Sequence, residues 1–227
     1  MNIENGKYKL NPYELEVELG VGADAGEVSA QVDSISSKWQ IPNEKPEHPT
    51  LLMVGGFQGS GKTTALEILK PRFPSVMISP DEIRHNLFEK GHPFSEEFTK
   101  IVNAAKFELI KKALDLGTSI IVDQSLTPDR VALVQHLLNG HSKYRLLSVF
   151  LTAPTEVLKE RVALRPQQAG RYKGTYLELE ASMDKYSKLY GEPQDGGYDL
   201  IIDSSVNDPQ AIASLINESL SPFQYYN

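Results

Sequence analysis

Five short apolar runs punctuate the chain from residue 51 onward: LLMVG, VMIS, SIIVD, YRLLSVFLT and YDLIID. Each is short and nearly continuous in its hydrophobicity, the pattern of a strand covered on both faces. Longer segments with a period near 3.6 separate them, so strands alternate with helices. That alternation predicts an α/β fold, a three-layer sandwich in which a parallel five-stranded sheet carries helices on both faces. Pro71 should stop the first of these helices. Ser95 and Gly117 bracket a long one over about 96–116, and Pro128 and Pro209 sit where two further first turns begin.

Upstream the pattern changes. Residues 1–40 are polar except for Val28, Val32, Ile35 and Trp39, which share one face of a helix and predict that it docks on something. The segment IPNEKPEHPT, with three prolines, reads as a linker. The expected organisation is therefore an N-terminal extension over 1–50, with one amphipathic helix and a Pro-rich linker, followed by a larger domain over 51–227.

The net charge of −7 falls unevenly: residues 1–50 hold 4 Lys and 9 acids, leaving 19 bases and 21 acids in the body. A body so close to neutral lacks the broad positive groove that long nucleic acids require. Its one basic stretch, 159–173, contains Lys159, Arg161, Arg165, Arg171 and Lys173 against the single acid Glu160. Such a stretch suits an anionic ligand and reads as a lid. The chain has no cysteine, which excludes disulfides, thiolate nucleophiles, zinc ribbons and iron–sulfur clusters and leaves a hard cation as the expected metal. The opening MNIENGKYKL lacks the apolar core of a signal peptide, and no apolar window reaches membrane-spanning length, which predicts a cytoplasmic protein with no membrane association.

The segment GFQGSGKT, 56–63, fits the phosphate-binding pattern GxxxxGK(S/T) and lies between a predicted strand and a predicted helix. Gly56, Gly59 and Gly61 allow the backbone to turn successive N–H groups inward, with Ser60 and Thr64 completing the loop and the helix start behind it. Lys62 is expected to reach the β- and γ-phosphates of ATP, and the Thr63 hydroxyl to hold Mg²⁺. SPDEIR, 79–84, follows the second strand and sets Asp81 and Arg84 on one helical face, at the carboxyl edge where parallel sheets bind ligands. Asp81 is the candidate base for an attacking hydroxyl and Arg84 the candidate clamp on an anionic acceptor. Asp123 ends the third strand, where it either holds the water shell of Mg²⁺ or orients the acceptor; Arg130, on the next helix, is a candidate substrate contact. In the basic stretch Arg165 and then Arg171 are the candidates to reach a transferring phosphoryl group.

Together these residues make the chain resemble the P-loop kinases related to phage polynucleotide kinase and the zeta toxins, over about 51–205. The polynucleotide kinase branch carries an Asp and an Arg three apart after strand two, like Asp81 and Arg84, and an Asp-x-x-Leu-x-Pro-x-Arg stretch, like Asp123, Leu126, Pro128 and Arg130. The resemblance implies that Asp81 is the general base, that Arg84 meets the acceptor phosphate, and that a lid arginine stands near Arg165. Zeta toxins, which phosphorylate a UDP-amino sugar, carry His-Pro closer to the Asp than His92-Pro93 and Glu-Gly-Thr where this chain has Asp123-Gln124-Ser125. The expectation is an ATP- and Mg²⁺-dependent kinase acting on a small-molecule, nucleotide or short nucleic-acid acceptor. The alternatives are a UDP-sugar kinase held by an antitoxin or other protein at the N-terminal helix, and an ATP-dependent switch or binding protein that is no kinase.

Overall fold

The computed structural model describes residues 9–164 and 176–220. Five strands, β1 (Thr50–Gly56), β2 (Val76–Ile78), β3 (Ile120–Asp123), β4 (Arg145–Thr152) and β5 (Leu200–Asp203), form one sheet in the order β2-β3-β1-β4-β5. Every pairing is parallel. The helices are α1 (Pro12–Leu19), α2 (Ala25–Ser36), α3 (Lys62–Leu69), α4 (Pro80–Glu89), α5 (Glu96–Leu116), α6 (Pro128–Leu137), α7 (Thr155–Ala163), α8 (Tyr176–Tyr190) and α9 (Pro209–Leu220). The three-layer α/β expectation holds, and all five apolar runs are strands.

Strand alternation divides the core into two layers. Leu52 and Val54 of β1, with Ile121 and Val149, face α3 and α9; Leu51 and Met53, with Ile120, Val122 and Phe150, face α5 and its neighbours. A sheet covered in this way buries side chains on both faces, so its strands tolerate few polar positions. Helix boundaries follow the local signals. The Ser95 hydroxyl accepts from the Phe98 N–H at 3.1 Å, and Gly117 closes α5 in the left-handed conformation. α3 stops at Leu69, and Pro71 lies in the 3₁₀ turn that follows.

The extension differs in detail from its sequence pattern. α2 carries Val28, Val32 and Ile35 but ends at Ser36, so Trp39 lies beyond it. α1 was invisible to helical periodicity, because ELEVEL alternates as a strand would. It forms a helix through its ends: Asn11 and Glu14 make a capping box, Pro12 opens the first turn and Gly20 ends it. Both helices pack on α5, and Leu15 and Ile35 join the same apolar cluster as Leu51 and Met53.

Candidate active site

β1 is the centre of the sheet, and the chain crosses from one side of it to the other between β3 and β4. Ligands bind at the carboxyl ends of strands at such a switch point. The register sets Asp123 beside Val54, and residues 56–63 begin where β1 ends. The Gly56 backbone passes so close to β4 that a Cβ there would lie 2.2 Å from the Leu151 carbonyl oxygen, and Gly61 takes φ +86° as it opens α3. No side chain caps α3. Its first N–H groups and its dipole are thus left for an anion. Lys62 Nζ donates to the carbonyls of Gly56 (2.8 Å) and Phe57 (3.1 Å), while Ser60 is buried and Thr63 and Thr64 are exposed.

Two cavities flank this loop. One, of about 480 Å³, is lined by Gly56, Phe57, Arg84 and Arg130 together with residues of α1, α5 and α8. The other, of about 620 Å³, is lined by Gly59, Gly61 and Thr64 on the loop, by Arg161, and by residues 204–209 after β5. Arg161 ties its two sides together, donating to the Gly59 carbonyl (3.3 Å), the Ser204 hydroxyl (2.9 Å) and the Ser204 carbonyl (2.8 Å).

Asp81 and Arg84 stand together as their spacing predicts, with Arg84 Nη1 donating to Asp81 Oδ1 at 2.5 Å. Arg84 reaches the first cavity; Asp81 is largely exposed beside it. Burial pushes the Asp123 carboxyl up, Lys62 opposes that rise and Asp81 adds to it, so the three groups share one electrostatic environment. Gln58 Oε1, in the loop after β1, and Gln124 Nε2, directly after β3, are buried without hydrogen-bond partners. Arg165 and Arg171 lie outside the described residues. Lys159 pairs with Glu180 on α8 at 2.7 Å.

A family model described as an AAA domain matches residues 51–189. The chain belongs to that AAA domain family. Among solved structures, a sugar kinase from a Janibacter species is 19% identical with a TM-score of 0.54, covering 76% of this chain and 94% of its own. A shikimate kinase from Bacteroides thetaiotaomicron is 17% identical with a TM-score of 0.52, covering 76% and 98%. The PezAT toxin–antitoxin system of Streptococcus pneumoniae is 19% identical with a TM-score of 0.51, covering 86% and 87%. No curated protein sequence matches. The AAA domain thus shares its three-layer α/β fold with these kinases. Among its described residues no helix is long and apolar enough to cross a membrane.

In this AAA domain Arg130, expected on substrate, is already engaged. Its Nε and Nη2 donate to the two carboxylate oxygens of Glu18 at 2.9 and 2.7 Å, and its Nη1 donates to the Ser125 carbonyl. Lys106 of α5 donates to the same carboxylate at 2.8 Å. Sequence reasoning missed Glu18 and Lys106, since long charged residues are assumed to face water. Burial alone would raise the Glu18 carboxyl, but Arg130 and Lys106 outweigh it and hold the group far below the ordinary carboxylate range.

A depressed carboxyl contributes stability that is present above its unfolded value of about 4.3 and is lost as pH falls. Glu18→Gln should therefore destabilise the neutral-pH protein by about 3 kcal/mol, because the buried Lys106 and the half-buried Arg130 lose their counter-charge. It should also flatten the fall in stability below about pH 5. Urea midpoints from pH 7 to pH 3 check both effects, and parallel curves for the two proteins would count against the network.

Proposed function

We propose that the protein is a kinase that transfers the γ-phosphoryl group of ATP to a hydroxyl of an anionic acceptor. The observation that carries the reading is the position of the phosphate loop between two cavities. A donor nucleotide would place its base and ribose in the 620 Å³ cavity, and an acceptor would occupy the 480 Å³ cavity that contains Arg84. Phosphate would then lie on the uncapped start of α3 between them.

The residues fit ATP and Mg²⁺. Bound Mg²⁺ would neutralise phosphate charge, with Thr63 and Asp123 as its holders. Ser60, Gly61, Lys62, Thr63 and Thr64 would hold the phosphates, with Lys62 leaving the loop carbonyls for the β- and γ-oxygens. Asp81 takes the proton of the acceptor hydroxyl as its oxygen bonds to the γ-phosphorus and ADP departs. Arg84 holds the acceptor's anionic group, and Arg165 and Arg171 are assigned to the charge that develops on the transferring group. Arg130 braces the acceptor side through Glu18 and the Ser125 carbonyl.

The test is phosphate transfer from labelled ATP to pairs of acceptors that differ only by a phosphate near the reacting hydroxyl. The phosphorylated member should be preferred about 10–100-fold in kcat/KM, the size of one charge-assisted hydrogen-bonded contact. Arg84→Ala should shrink that preference towards unity. Equal use of both members by the wild type would remove Arg84 from the acceptor site.

A further inference from the structure

The extension is not an idle appendage to the 480 Å³ cavity. Tyr13, Glu14, Val17 and Glu18, all from α1, line it together with Gly56 and Phe57 of the loop. α1 is fastened to three of the other helical walls, α5, α6 and α8. To α6 it is held by Glu18 on Arg130, and by the Lys9 and Leu10 N–H groups, which donate to the buried Asp129 carboxylate at 2.9 and 2.8 Å. To α5 it is held by Lys106 on Glu18, by Asn103 Nδ2 donating to the Val17 carbonyl at 2.9 Å, and by the Tyr13 hydroxyl on Glu96. To α8 it is held by Glu14 on Lys185 at 3.3 Å, while the Tyr190 hydroxyl donates to the same Asp129 at 2.8 Å.

These ties differ in strength. The Glu14–Lys185 pair is exposed and contributes little. The Glu18 and Asp129 anchors are buried, one at each end of α1, so the helix is fixed rather than hinged. A fixed helix on the cavity lining leaves less room for a chain continuing from an acceptor hydroxyl than the cavity would offer without it. The remaining volume is that of a pocket for one discrete ligand, within the roughly 300–1,000 Å³ typical of small-molecule sites.

We infer that α1 is a built-in wall of the acceptor site, and that by closing it this wall selects a discrete anionic small molecule and rejects the end of a polynucleotide. The inference rests on the phosphotransferase reading above. It makes α1 a specificity element, with Val17 facing the acceptor and Glu18 positioning the wall.

The experiment compares labelled-phosphate transfer to a nucleoside 3′-phosphate, a hexose phosphate, a UDP-sugar and a 5′-hydroxyl decanucleotide, using the full chain. The wild type should use at least one discrete acceptor and should favour it over the decanucleotide by at least about 100-fold in kcat/KM. Val17→Trp, which fills the cavity from α1, should raise the KM for that acceptor by about tenfold or more while the KM for ATP stays unchanged. Should Val17→Trp fail to fold, Tyr13→Ala serves instead: its side chain is mostly exposed, and its loss should raise relative decanucleotide use by about tenfold. Comparable use of decanucleotide and discrete acceptors by the wild type would overturn the wall while leaving the kinase intact. So would an acceptor KM indifferent to Val17→Trp, or decanucleotide use indifferent to Tyr13→Ala. Transfer to no member of the panel by a protein that binds ATP would overturn the phosphotransferase reading itself, and the inference with it.

Discussion

Lys62→Ala is expected to lower nucleotide-dependent turnover by about 10³-fold and to weaken ATP binding, while the protein stays folded. The magnitude is that of removing a preorganised donor from a charge-stabilising site. The fold should survive because the Lys62 side chain belongs to neither apolar layer: its ammonium rests on the carbonyls of Gly56 and Phe57, two groups of the loop it is meant to serve. Water can replace those contacts when the side chain is truncated. The measurements are steady-state turnover, ATP affinity by calorimetry, and a thermal melt to establish that the variant is folded. Wild-type affinity and turnover in a folded Lys62→Ala protein would remove the phosphate loop from the mechanism.

The second large effect separates a kinase from a nucleotide-dependent switch. Asp81→Asn should reduce transfer to an acceptor by about 10²–10⁴-fold, the usual loss when a general base is removed. Binding of ATP-Mg²⁺ should change far less than transfer does, because Asp81 pairs with Arg84 on α4 and acts on the Asp123 carboxyl only through its charge. A loss in kcat with an unchanged ATP dissociation constant is the signature of a group that acts only on the reacting hydroxyl. If instead no acceptor is found, and slow ATP hydrolysis is the same in wild type and Asp81→Asn, the protein is better described as a switch.

The sheet and the position of the glycine-rich loop over 56–63 between β1 and α3 were legible in the sequence because their signals are local. β1 is an apolar run that ends in glycines, and α5 carries its own cap at Ser95 and its own stop at Gly117. The pairing of Asp81 with Arg84 was legible for the same reason, since a spacing of three on a helix brings side chains together. What the sequence hid is long-range. Glu18 meets Arg130 across 112 positions and Lys106 across 88, and neither partner can be read from the charge pattern around the other. α1 itself was legible only through its caps, Asn11, Glu14 and Gly20; its alternating interior points to the wrong period. Arg165 and Arg171 fall outside the described residues, so their assignment rests on residue type and spacing alone.

The strand order also has a consequence for how the molecule comes into being. β1 and β2 are made first, yet they do not pair with each other, because β3 lies between them in the sheet. On the ribosome, where segments emerge in order from the N-terminus, the central, fully buried strand therefore waits with both edges open until Ile120–Asp123 and Arg145–Thr152 have been synthesised. α1 waits for Arg130 in the same way, with Glu18 still hydrated. Closure of the sheet and arrest of the N-terminal helix are thus late, joint events of biogenesis, and nascent chains halted before β3 should be the species that chaperones retain.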